Sequence, residues 1–472
     1  MRSYPSHHWD PAYTEDLWTT AINKIKDGTF TDADAAPFHE CDAWPFGPEG
    51  ERHVYDYFAE YKDNGEYYYD EAHQQPSYGG SKSGSDGHSY YGHVFGGGSG
   101  YYPYAPGQWR RTAGRVNGNT LVEISGGHIL TNVYGGNEIT DVLGSSKVEM
   151  WGGTVGVPRT LAGIQARPVN SYIFGAGMGD PRVIFNGWSN VASSEVIVRG
   201  EAVVFGSVFG GGEDGHILGD VSTTIKGNAL IGTFGSSGVD GNIFGSGRGF
   251  STLALTAGAV CGNVEVNIAE NAKILGSVFG GGRMAAVGIH LVAEETANYG
   301  VLIPDGKNQV LGGEDVDAAG ATHGYVTINI TGGTIGNLSQ LSSSQFSIGD
   351  VFGGSKGIFL NGEWTKSQKL GLVKNTTVNI SQAEGSTTRI YGSVYGGGEI
   401  ASVGSYTYAT SANENLSEPI AVGDVNGLLE DGTGLATILI TGGIIGQNSL
   451  ADTKGNVLGG CLGKSCCPSL VE

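Results

Sequence analysis

Gly206-Ser207-Val208-Phe209-Gly210-Gly211-Gly212-Glu213 decides how this chain folds, because close variants of it recur along the sequence. Val94-Phe95, Val133-Tyr134, Ile173-Phe174, Ile243-Phe244, Val278-Phe279, Val351-Phe352 and Val394-Tyr395 are each followed by glycine. Val457-Leu458-Gly459-Gly460 is a weaker copy. From Ile173 through Val208 and Ile243 to Val278 the step is 35 residues each time. Self-similarity at a fixed step of this size is the signature of a solenoid, propeller or other repeat array.

Outward from this stretch, each repeat has three parts. The first is a strand of alternating character, as in Val264, Val266 and Ile268, or Val326, Ile328 and Ile330. Period-two alternation buries one face and wets the other. A glycine corner follows, at Gly126-Gly127, Gly152-Gly153, Gly332-Gly333 and Gly442-Gly443, where glycine reaches positive φ without a Cβ clash. A short second strand (Thr334-Ile335-Gly336, Ile444-Ile445-Gly446) then leads into the aliphatic–aromatic–glycine segment. The remainder is a variable connection, long at 291–322 and 405–435.

Three short strands with sharp corners and unequal loops predict one coil of a parallel β-helix, an all-β solenoid in which ladder hydrogen bonds run between repeats. Equivalent side chains then stack. Asn267, Asn329 and Asn379 are expected to form an outward ladder, and Phe174, Phe209, Phe244 and Phe279 a column, with the preceding Val or Ile facing inward. The 73-residue step from Val278 to Val351 reads as two units with a degenerate middle. The rival fold, a β-propeller, needs four strands per blade, and its closed ring does not suit such unequal steps.

Composition agrees with the array. Glycine supplies 83 of 472 residues, against an average near 7%, with no Gly-X-Y period that would indicate collagen. The net charge of −21 excludes the basic surface that nucleic acid or anionic membrane demands. Arg110, Arg111 and Arg115 are read as solvating a loop. Cys41, Cys261, Cys461, Cys466 and Cys467 are odd in number and lack zinc-site spacing. No apolar run is long enough to span a membrane.

Residues 1–90 stand apart from the array at 91–460 and the tail at 461–472, as an insertion or cap. Thr14 to Asp27 is predicted to be an amphipathic helix, with Leu17, Trp18, Ala21, Ile22 and Ile25 on one face and Gly28 as its C-terminal cap. A second helix is expected over Glu51 to Asp63, after a connector containing Pro37, Pro45 and Pro48. Residues 65–107, rich in Tyr, Gly and Ser, read as loop around the first repeat. The last unit is followed only by Cys461 to Glu472, with no capping helix. An uncovered coil invites aggregation, so the chain is expected to be part of a longer polypeptide.

The combination of Val326-Thr-Ile-Asn-Ile-Thr-Gly-Gly-Thr-Ile-Gly336, Gly206–Glu213 and Gly219-Asp220-Val221 resembles the glycine-rich repeat regions of large, adhesin-like cell-surface proteins of Bacteroidetes, over about residues 90–460. The resemblance implies a right-handed parallel β-helix exposed at the cell surface or otherwise extracellular. It identifies a repeat class, not an activity, and the chain departs from it in showing no export signal at its N-terminus.

Three functional readings follow, one of them a purely structural spacer that shows neither binding nor turnover. The first is a non-enzymatic surface protein, an adhesin or stalk, whose loops contact glycan or host protein. The second is a polysaccharide lyase or glycoside hydrolase on the same solenoid, for which Glu213, Asp214, His216 and Asp220, joined by Asp240 one unit later, are the candidate catalytic residues. Hydrolysis needs two carboxyl groups facing one bond. The alternative for this cluster is a solvated acidic loop after a glycine turn. Calcium is a conceivable cofactor in two places. Ser236 to Ile243 partly matches the calcium-binding nonapeptide, and Glu138, Glu213 and Glu399 follow the glycine turn in three units, where stacked carboxylates could share a cation.

Overall fold

The computed structural model describes residues 15–35, 69–70, 75–76, 93–100, 112–129, 131–158, 171–179, 188–233, 241–249, 257–288, 323–337, 349–358, 370–404, 407–408, 425–426, 434–447 and 455–462. They form a right-handed parallel β-helix with three strands per coil. The alternating strands make a long sheet of 8 strands, from Thr120–Ile124 to Ala436–Ile440. The short second strands make a middle sheet, also of 8, from His128–Ile129 to Ile444–Ile445. The aliphatic–aromatic pairs make a third, aromatic sheet of 9, from Val94–Phe95 to Val457–Leu458. Within each of the three sheets every pairing is parallel and follows chain order.

Burial follows the alternation. In Val264–Ile268 the Val264, Val266 and Ile268 side chains are buried while Glu265 faces solvent. Gly127, Gly153, Gly333 and Gly443 make the corners with φ between 78° and 94°, the left-handed region open to glycine. A second glycine requirement comes from close approach: a Cβ on Gly210 would lie 2.3 Å from the carbonyl oxygen of Gly245 in the next coil.

From Val133 to Val394 the first residue of each aromatic-sheet strand, such as Val208, Ile243 or Val278, belongs to the central aliphatic core, as expected. The aromatic that follows points the other way, yet it too is buried, in a second cluster. Phe174, Phe209, Phe244, Phe279 and Phe352 stack in one file with ring centroids 4.6–4.9 Å apart. This is the spacing of neighbouring strands, so the ladder itself sets the stack. On the long sheet the asparagine ladder forms: the Asn329 amide donates to Asn267 Oδ1 at 3.0 Å and the Asn379 amide to Asn329 Oδ1 at 2.9 Å.

Two expectations change. Val278 pairs directly with Val351, and the Phe279 and Phe352 rings lie 4.8 Å apart. The 73-residue step is therefore one coil with a long connection and not two units, which is tolerated because loop closure costs grow only slowly with length. The coil also has a short fourth side. Asn190–Val191 pairs with His216–Ile217, and single bridges join Ile217 to Val260 and Val260 to Val287. These aliphatic side chains complete the central core, a contribution too short to register as a strand in the sequence.

The N-terminal helix α1 spans Glu15–Asp27 and buries Trp18, Ala21 and Ile25. Gly28, with φ of 71°, ends it, and the Thr29 N–H donates to the Lys24 carbonyl at 2.8 Å. The helix lies against the outer side of the middle sheet and packs on Val203, Phe205, Leu230 and Leu275. Trp18 stacks on His128 with centroids 4.2 Å apart. In this place it flanks the solenoid and does not cover its end. The second predicted helix and its connector lie outside the described residues, as does most of each long loop. The final coil repeats the three strands but leaves Leu435, Leu439, Ile444 and Val457 exposed.

Candidate functional site

The acidic cluster picked out in the sequence is interior. Glu213, Asp214 and His216 are each at most 4% exposed, so neither an open catalytic pair nor a solvated loop describes them. The reason is a column that runs beside the aromatic stack. The residue four places after each aromatic follows in order as Ser99, Glu138, Met178, Glu213, Arg248, Arg283, Lys356 and Glu399, and backbone hydrogen bonds tie each to a residue flanking its neighbour in the column. Arg248 Nη1 reaches Glu213 Oε1 at 2.5 Å, and the Tyr134 hydroxyl donates to Glu213 Oε2 at 2.6 Å. Lys356 Nζ reaches Glu399 Oε2 at 2.7 Å and sits 5.4 Å from the centre of the Phe279 ring.

In this column no carboxylate stacks on another. Glu138 lies between Ser99 and Met178, while Arg248 follows Glu213 and Lys356 precedes Glu399. Beside Glu213 and Glu399 the place proposed for a shared cation is thus filled by the protein's own Arg248 and Lys356. The other calcium candidate, with Asp240, falls in 234–240, outside the described residues. Among the described residues no group of three or more His, Cys, Asp or Glu side chains could hold a metal ion. Cys261 is buried, and burial pushes its thiol up to about 12, so it is a packing residue and a poor nucleophile.

Asp220 parts company with the other candidates. It is exposed, and its Oδ1 accepts from the Asn263 N–H at 2.8 Å. It belongs to a second column, the residue immediately before each of the first five long strands: Asn119, Ser145, Ser193, Asp220 and Asn263. Each takes the place of an Asx or hydroxyl cap for its neighbour. Asn119 Oδ1 accepts from the Ser145 N–H at 2.9 Å, the Ser145 and Ser193 hydroxyls meet at 2.7 Å, and Asn263 Oδ1 accepts from the Tyr325 N–H at 3.0 Å.

This column borders an open groove of roughly 890 Å³ running along the solenoid. Its other border is the first outward residue of each long strand, including Leu121, Lys147, Glu195, Ser222, Glu265 and Thr327. Lys147 Nζ lies 2.9 Å from Glu195 and 3.5 Å from Glu149, and the bond to Glu195 raises its ammonium above the usual lysine range. Arg199 bonds Glu149 at 2.8 Å and holds that carboxyl below its usual value. At the far end Tyr325 is 39% exposed, with the Lys374 ammonium 5.7 Å from its ring centre.

Sequence reasoning found Asp220 but not the groove. The missed signal is the recurrence of Asn, Ser or Asp directly before the alternating strand, which by itself resembles ordinary turn chemistry. The architecture is that of a parallel β-helix solenoid, and comparison with protein-family models, curated proteins and solved structures finds no match. No described helix is long and apolar enough to cross a membrane.

Proposed function

We propose that this chain is a non-enzymatic repeat protein of the cell surface, an adhesin or stalk, that contacts glycan or host protein along its solenoid. One observation carries the preference over an enzyme: Glu213, the centre of the candidate catalytic cluster, is buried and bonded to Arg248 and Tyr134. A carboxylate held in that way supports the stack and has no access to a glycosidic bond, whereas hydrolysis needs two carboxyl groups flanking the substrate. The in-register sheets make a stiff scaffold, and groups projecting from such a scaffold are where binding resides.

The test is to offer the intact chain a panel of immobilised glycans and host matrix proteins, and in parallel to screen soluble polysaccharides for chain scission with and without Ca²⁺. Retention on the panel without release of new reducing ends is the expected result. Scission that disappears in Asp220→Ala, the exposed one among the described members of the cluster, would replace this reading with the enzymatic one.

A further inference from the structure

We infer that the groove beside the long sheet is a binding site for an extended, uncharged polysaccharide, with Tyr325 as its stacking platform. This inference rests on the surface-binding reading above and narrows it to one face and one ligand class.

Shape is the first argument. The groove crosses six successive strands, from Thr120–Ile124 to Tyr325–Ile330, a span of about 24 Å at about 4.8 Å per strand. It is open along its length, which suits a linear chain and not a compact metabolite. A peptide added as a strand does not fit: of the six strands the groove crosses, five already pair on both sides, and among the described residues only Thr120–Ile124, at the groove's end, has an unpaired edge.

Chemistry is the second argument. The walls present hydroxyls (Ser145, Ser193, Ser222), side-chain amides (Asn119, Asn263) and carboxylates (Glu195, Asp220, Glu265) at the strand spacing. Such groups accept and donate the hydrogen bonds that a row of sugar hydroxyls offers, and bonds to carboxylates are the stronger kind. Two cations, Lys147 in the lining and Lys374 beside Tyr325, stand against the three carboxylates, and the whole chain carries −21. Uronate or sulfated chains are therefore repelled, which leaves uncharged glycans as the favoured class. Tyr325 provides the apolar element. Tyr325 is 39% exposed and the Lys374 ammonium lies over one face of its ring, 5.7 Å from the centre, which leaves the other face to stack on a sugar.

The experiment uses the full chain in calorimetric titrations with cellohexaose, laminarihexaose, mannohexaose and xylohexaose, and with hexagalacturonate as the anionic control. At least one neutral hexasaccharide is expected to bind, with an affinity insensitive to salt. Tyr325→Ala should weaken it by roughly 3- to 10-fold, Tyr325→Phe should retain it, and Glu265→Gln should weaken it by a comparable roughly 3- to 10-fold. Neutral-glycan binding untouched by all three substitutions overturns the groove assignment while leaving the surface-binding reading intact. Tighter binding of hexagalacturonate overturns the charge argument. Binding of none of the five probes overturns this inference, and the broader reading fails as well only if the glycan and matrix-protein panel is also silent.

Discussion

Two side-chain columns of this solenoid are built alike and used differently. One runs through Glu213, Arg248 and Lys356, beside the aromatic stack; the other through Ser193, Asp220 and Asn263, at the start of the long strands. Both repeat once per coil, and both carry polar groups at the strand spacing. In the first, Glu213, Arg248 and Glu399 are buried and Lys356 is nearly so, so these charges pair with each other and their chemistry is spent on cohesion. The second opens on solvent, so only part of its hydrogen-bonding capacity is used within the chain. Charge in a sequence repeat does not by itself mark a binding face; what matters is the side of the sheet it lands on.

The largest expected effect is on the closed column. Arg248→Met leaves the Glu213 carboxylate buried without its guanidinium, and removing one partner of such a pair costs about 3–5 kcal/mol. Denaturant unfolding should report the loss, and adding Glu213→Leu and Tyr134→Phe should restore most of it. A smaller change of opposite sign is expected in the aliphatic core. Thr223 is fully buried between Val196 and Val266, and its Oγ1 has no hydrogen-bond partner among the described residues. Thr223→Val should stabilise the chain by about 1 kcal/mol in the same assay. The open face should respond least: Glu195→Gln, on the groove border opposite that column, breaks a half-exposed ion pair with Lys147 and should shift stability by about 0.5 kcal/mol or less. A large loss there would erase the contrast between the two columns.

Much of the architecture was legible because the coil repeats its pattern strand by strand. The alternation in Asn263–Ile268 and Tyr325–Ile330 fixes which residues face outward, and hence that Asn267 and Asn329 meet. The recurring aliphatic–aromatic pair likewise fixes the file from Phe174 to Phe352. The pairing of Glu213 with Arg248 was less visible, since it requires counting four residues past each aromatic across connections of unequal length. Steps also mislead when loops lengthen, as the single coil between Val278 and Val351 shows. The groove was hidden for a different reason. Asn119, Ser145 and Ser193 are the residues any turn would favour, and only their alignment with Asp220 and Asn263 over five coils makes a surface.

Stacking of successive coils in chain order is tested most directly by disulfide trapping at the asparagine ladder. Register partners in neighbouring coils lie about 4.8 Å apart, within the Cα range of about 4.4–6.8 Å that a disulfide accepts, whereas residues two coils apart lie beyond it. Asn267→Cys with Asn329→Cys, and Asn329→Cys with Asn379→Cys, should each close under mild oxidation, as read by peptide mass mapping of the linkage. Asn267→Cys with Asn379→Cys should stay open. Closure of this last pair as readily as the neighbours, or failure of both neighbouring pairs, would contradict the stacked-coil account.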